Sequence, residues 1–161
     1  MKVGFIGCGN MASAMLGGII QKGVVAKEDL MASARTEKTR KKIKEEFQIA
    51  AIEDNKELAA KSDIIVLAIK PVYMEEVIEE IAECVTEEKI IVTLAPGKTL
   101  EWLDVTFGKP TKLIRTMPNT PALVGEGMTA LCPNELVSDR EMQVVEEIFQ
   151  SFGKTQVVSE P

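Results

Sequence analysis

Residues 4–15 read GFIGCGNMASAM, and the fold turns on how this stretch is read. The apolar run Val3 to Ile6 leads straight into glycines, and a helix-like pattern from Met11 to Lys22 follows. Gly7-Cys8-Gly9-Asn10-Met11-Ala12 fits the spacing G-x-G-x-x-A. In such a turn the first glycine permits a sharp exit from the strand. The second lets backbone approach a pyrophosphate, and the small third residue lets helix and strand pack closely. The helix start offers free N–H groups and a partial positive charge to phosphates. A glycine-rich turn alone is a weak signal. It becomes a nucleotide-binding signature by following a first strand, opening a helix and heading a strand–helix series.

That series continues outward along the chain. Gly23 stops the first helix. Strands are expected at Leu30–Ser33, Ile49–Ile52, Ile64–Ile69, Ile90–Leu94, Lys112–Thr116, Gly127–Cys132 and Thr155–Val158. Helices are expected at Glu37–Phe47, Asn55–Lys61, Met74–Cys84, Leu100–Phe107 and Ser138–Phe152. Ile64 to Ile69 is unbroken and rich in β-branched residues, as suits a parallel strand buried on both faces. In Met74–Cys84 the residues Val77, Ile78 and Ile81 share one stripe, with glutamates outside it. The alternation predicts an α/β protein: a Rossmann-type, doubly wound, mostly parallel sheet of about eight strands with helices on both faces. Residues 1–161 read as one such domain, with no repeat and no linker.

Composition narrows the function. The net charge of −6 argues against nucleic acid or anionic lipid as a partner. The basic run Lys38 to Lys44 (KTRKKIK) is the exception, read as the solvated face of a helix or as local attraction for a phosphate. No apolar run approaches the roughly 18 residues that span a bilayer. The start, Met1-Lys2 followed by a strand, has no secretory pattern, so a cytoplasmic address is expected. Three cysteines without C-x-x-C, and no histidine, predict no metal site. The missing histidine also removes the commonest general acid/base.

The end of the second strand bears on which dinucleotide is bound. An NAD-preferring site carries Asp or Glu there to bond the ribose 2′-hydroxyl. Here the chain reads Leu30-Met31-Ala32-Ser33-Ala34-Arg35-Thr36, with hydroxyls and a guanidinium and no carboxylate. An Arg fork suits a 2′-phosphate, which a carboxylate would repel. NADP(H) is therefore expected as the preferred cofactor, with NAD(H) second.

Three segments together, GFIGCGNMASAM at 4–15, LAIKP at 67–71 and IRTMPNTPALVGEG at 114–127, resemble pyrroline-5-carboxylate reductase. The likeness runs over essentially the whole chain, and MPNTP is its most specific part. It implies NAD(P)H-dependent reduction of 1-pyrroline-5-carboxylate to L-proline, the last step of proline biosynthesis. It implies a pyrophosphate site at Gly7, Gly9, Asn10 and Met11, and 2′-phosphate contacts at Ser33, Arg35 and Thr36. Asn55 resembles a contact to the adenosine ribose, and Ala68, Lys70 and Pro71 a groove lining. Ala95 and Gly97 resemble the nicotinamide-side loop. Met117, Pro118 and Asn119 resemble the segment beside nicotinamide and substrate. Lys70 and Asn119 are the substrate-side candidates, and no catalytic residue is assigned. Independently of the family, Lys70, Ala95 and Asn119 each follow an expected strand, where ligands of open α/β sheets sit.

The likeness also implies a helical domain beyond Pro161, which would bear a Ser/Gly-rich substrate segment and the interface of a homo-oligomer. The 161-residue chain alone is thus expected to bind cofactor but to turn over substrate poorly or not at all. An apolar face where that domain would dock could drive self-association. Pro96 stands where the family more often has Ala, and a proline has no N–H to donate. Two other readings stay open: another NADP reductase, of the β-hydroxyacid dehydrogenase or deazaflavin-dependent type, and a non-catalytic nucleotide-binding module.

Overall fold

The computed structural model describes residues 1–118, 127–151 and 153–160. The first half comprises β1 (Val3–Ile6), α1 (Asn10–Lys22), β2 (Leu30–Ser33), α2 (Glu37–Phe47), β3 (Ala50–Ile52), α3 (Asn55–Lys61) and β4 (Ile64–Leu67). The second comprises α4 (Met74–Ile81), β5 (Ile90–Thr93), α5 (Leu100–Phe107), β6 (Lys112–Pro118), β7 (Gly127–Pro133), α6 (Asp139–Gln150) and β8 (Gly153–Val157). Eight strands form one sheet in the order β3-β2-β1-β4-β5-β6-β7-β8. Neighbours run parallel except β6 and β7, which are antiparallel. This is the doubly wound α/β architecture expected from the alternation of patterns.

The winding follows from side-chain alternation. Val3 and Phe5 of β1, and Ile64 and Val66 of β4, join one core with Leu16 and Ile19 of α1, Ile43 of α2 and Val145 of α6. Ile6, Ile65 and Leu67 point the other way and join Leu58 of α3, Ile78 of α4 and Leu103 of α5. Because β1 and β4 are buried on both faces, polar residues are absent from their strands. Each large apolar side chain so buried stabilises the fold by about 1.5–3 kcal/mol relative to exposure.

Gly4 is needed for packing. A Cβ there would overlap Ser62 Oγ and lie 2.7 Å from a Leu58 methyl carbon, so α3 seats against bare backbone. Lys89 closes the far end of α3, its ammonium donating to the carbonyls of Ala59, Ala60 and Ser62 at 2.9, 3.0 and 2.6 Å. A cation on the last carbonyls of a helix satisfies both hydrogen bonding and the helix dipole.

Several boundaries differ from expectation. β4 ends at Leu67 rather than Ile69, because Ala68 and Ile69 leave the sheet toward the one-turn 3-10 helix Pro71–Tyr73. The helix expected through Cys84 stops at Ile81 and tightens into a 3-10 turn, Ala82–Cys84. β6 runs on to Pro118 because antiparallel pairing pulls in Met117 and Pro118 opposite Ala130 and Thr129. β3 begins at Ala50. Ser138 is the N-cap of α6 rather than its first residue, and α6 ends at Gln150. β8 begins at Gly153, since its pairing with β7 starts opposite Gly127.

Candidate functional site

The sheet reverses its order between β1 and β4, the place where ligands of open α/β sheets bind. The Gly7 turn leaves β1 there with φ +92°, and a Cβ on it would sit 2.6 Å from the Ala68 carbonyl oxygen. Backbone conformation and lack of space thus both demand glycine. Gly9 is different. It is the N-cap of α1 in ordinary extended backbone (φ −88°, ψ −163°), and a Cβ there would meet nothing within 4 Å. Its Cβ position faces a cleft of about 440 Å³ lined by Gly9, Asn10, Met11, Ala68, Lys70 and Met117 among others.

At the floor of this cleft α1 begins with no side-chain cap and no acidic residue in its first turn. The first intrahelical bond runs from the Ser13 N–H to the Gly9 carbonyl, leaving the earlier N–H groups for a ligand. Cys8, inside the turn, contacts Ser13 Oγ at 3.7 Å. Burial pushes its thiol up, against the lowering effect of Ser13, so it stays neutral at pH 7 and puts no negative charge beside an anion. Ala12 is buried where α1 crosses the sheet, as its place in the motif requires.

A second, smaller hollow of about 160 Å³ continues past Ile69 and is lined by Gly7, Ser33, Arg35, Asn55 and Tyr73, among others. Buried Ser33 donates to Asn55 Oδ1 at 2.7 Å, and Asn55 Nδ2 donates to Glu80 at 2.8 Å. Thr36 is the N-cap of α2 and accepts from the Thr39 N–H. Arg35 is exposed, lies 5.6 Å from the Tyr73 ring centroid and pairs loosely with Glu76 at 3.6 Å. A pair so exposed contributes little, and the guanidinium can be recruited elsewhere.

The structure therefore gathers Gly9, Asn10, Met11, Ala68, Lys70 and Met117 along one cleft and Gly7, Ser33, Arg35 and Asn55 in the adjoining hollow. Pro71 starts the 3-10 turn, and Gly97 is exposed in the β5–α5 loop with φ +77°. Ala95 is buried in the second core, and its neighbours Leu94 and Pro96 face the cleft instead. Pro118 closes β6, and Asn119 lies outside the described residues. Thr116, which the sequence reading passed over, lines the cleft but gives its proton to the Thr93 carbonyl at 3.0 Å. Tyr73 was also missed. It is the single tyrosine of the chain, and an aromatic just after the Lys70-Pro71 strand terminator was the available signal.

Among the described residues no group of three His, Cys, Asp or Glu could hold a metal, and no helix is long and apolar enough to cross a membrane.

Residues 2–97 match the family described as NADP oxidoreductase, coenzyme F420-dependent. The chain is 41% identical over 160 residues to the pyrroline-5-carboxylate reductase of Escherichia coli, covering 99% of this chain and 60% of that one. A solved pyrroline-5-carboxylate reductase from Coxiella burnetii superposes with a TM-score of 0.94 at 31% identity, covering 99% of this chain and 59% of that one. The pyrroline carboxylate reductase of Plasmodium falciparum, solved with NADP bound, gives 0.89 at 32%, covering 99% and 58%. The chain thus spans about 55–60% of the length of curated relatives that it matches.

Proposed function

Because the chain belongs to the coenzyme F420-dependent NADP oxidoreductase family, we propose that it holds NADP(H) across the β1–β4 crevice as the cofactor-binding part of a pyrroline-5-carboxylate reductase. The observation that carries this is the α1 start, uncapped and free of acid, beneath a Gly9 whose missing side chain leaves the approach clear. Gly7, Gly9, Asn10 and Met11 would hold the pyrophosphate through backbone N–H groups. Arg35, with Ser33, Thr36 and Asn55, would take the adenosine end and its 2′-phosphate. Ser33 and Thr36 already spend hydroxyl protons on Asn55 and Thr39, so the mobile positive charge there comes from Arg35. NADP(H) is favoured over NAD(H) because β2 ends without a carboxylate.

When bound, the reduced nicotinamide would supply a hydride for the C=N carbon of 1-pyrroline-5-carboxylate, whose nitrogen carries a proton taken up from solvent, giving L-proline. Ala68, Lys70, Met117 and the 95–97 loop would border that ring, with Pro71 fixing the turn behind Lys70. Lys70 and Asn119 are the substrate-side candidates in this chain. The remaining substrate contacts, and assembly as a homo-oligomer, would come from a helical domain of the kind the family resemblance implies. We extend the reading to a cytoplasmic setting.

A deazaflavin-dependent reductase is the rival that the family description suggests. That match ends at residue 97, before the segment 114–127, whereas the 41% identity runs through it. Titration of the 161-residue chain with NADPH and NADH, followed by reduced-nicotinamide fluorescence, tests the cofactor reading. Saturable binding with NADPH tighter is expected, and binding of neither would overturn it.

A further inference from the structure

The basic run of α2 contains one residue that does not behave as a solvated charge. Lys38, Lys41, Lys42 and Lys44 are exposed, but the Arg40 side chain is only 19% exposed and turns back toward the helix start. Its Nη1 donates to the Ala34 and Arg35 carbonyls, both at 2.9 Å. Its Nη2 lies 3.7 Å from a Glu53 carboxylate oxygen that is itself largely exposed, a pair of little energetic weight. The two carbonyls are therefore its main partners.

Those carbonyls belong to the loop between Ser33, which ends β2, and Thr36, which caps α2. The loop's other tethers are the Ala34 N–H to the Ile52 carbonyl at 3.1 Å and the Thr36 cap itself. Between them lies Arg35, itself lining the hollow, its side chain near Tyr73 of the same lining and near Glu76. We propose that Arg40 is a positioning residue for cofactor discrimination: by clamping both carbonyls from behind, it fixes the backbone from which Arg35 reaches a 2′-phosphate. A guanidinium suits the task because its rigid planar fork loses less freedom per hydrogen bond than a lysine stem. Charge-assisted bonds of this kind are also stronger than neutral ones.

The proposal rests on the cofactor reading above, and the test separates the two. Dissociation constants for NADPH and NADH are measured on the wild-type chain, Arg35→Ala, Arg40→Gln and the double variant. Arg40→Gln should weaken NADPH about 5–10-fold and NADH less than about 2-fold. In the Arg35→Ala background the same change should cost NADPH less than about 2-fold, since partners acting as one unit are not additive. Equal weakening of both cofactors, an unchanged ratio, or a full effect in the double variant would overturn the proposal. Should Arg40→Gln unfold, Arg40→Lys takes its place, with a ratio lowered about 2–3-fold expected and an unchanged ratio overturning the proposal. If Arg35→Ala itself leaves the ratio unchanged, the 2′-phosphate reading fails and takes the proposal with it. If Arg35→Ala lowers the ratio and Arg40→Gln does not, the proposal alone fails.

Discussion

Helices α1 and α6 begin in opposite ways. At α6, Ser138 accepts from the Glu141 N–H while Glu141 accepts from the Ser138 N–H, a reciprocal capping box. Lys112 adds an ion pair to Glu141 at 2.7 Å. At α1 a glycine stands where the cap should be, and no acid follows in the first turn. Caps of side-chain oxygen also open α2, α3 and α5, at Thr36, Asp54 and Thr99. An N-cap is worth about 0.5–2 kcal/mol, so a helix start without one forgoes stability that a single substitution could restore. The difference teaches that α6 begins for the sake of the fold, whereas α1 begins in a form suited to an anion.

The sharpest way to break this contrast is to give α1 the cap it lacks. Gly9→Asp is compatible with the local backbone and meets no neighbour within 4 Å. It should raise the melting temperature by about 1–3 °C through capping and the helix dipole. It should also weaken NADPH at least about 100-fold, because a carboxylate would occupy the phosphate position. Calorimetry and fluorescence titration on one preparation check both halves, and ordinary NADPH affinity in Gly9→Asp would refute the account of α1.

The reverse operation removes the cap from α6. Ser138→Ala should cost about 1 kcal/mol, seen as a melting temperature lower by about 2–4 °C, with NADPH affinity unchanged. A change in affinity would mean that α6 and the crevice are coupled.

The smallest effect is in pH. Burial alone pushes the Glu141 carboxyl up, but hydrogen bonds from Lys112 and Ser138 outweigh it and hold the group below its ordinary value. A carboxyl depressed in the folded state contributes stability that is present above its unfolded value and lost as pH falls through the folded one. The stability gap between wild type and Glu141→Gln should thus be full near neutrality and shrink in acid. A gap that grows on acidification would contradict the assignment.

The contrast also marks what could be read in the sequence. Patterns carried by near neighbours were legible: the glycine turn, the apolar strands, the stripe on α4 and the stop at Gly23. Contacts between distant residues were not. Nothing local marks Lys89 as the cap of α3, or Gly4 as the seat of Leu58 and Ser62. Arg40 sits in a run of cations whose charge pattern suggests a solvated face or attraction for a phosphate, and not a side chain folded back onto its own loop. The extension of β6 depended on a partner strand that pairs from the opposite direction. Of the candidate site, the backbone anchors near β1 and β4 were legible, whereas Tyr73, Thr116 and the burial of Ala95 depended on the fold.

Gly4, Gly7 and Gly9 lie within six residues of one another, and each is glycine for a different reason. The first leaves room for a neighbouring helix, and the second combines a left-handed turn with a tight approach to Ala68. The third meets no demand from the protein itself. In the descent of such a domain the first two positions would stay fixed even in a lineage that had given up its nucleotide. The ninth would be free to drift, so among these glycines only the last would record whether a ligand is still in use.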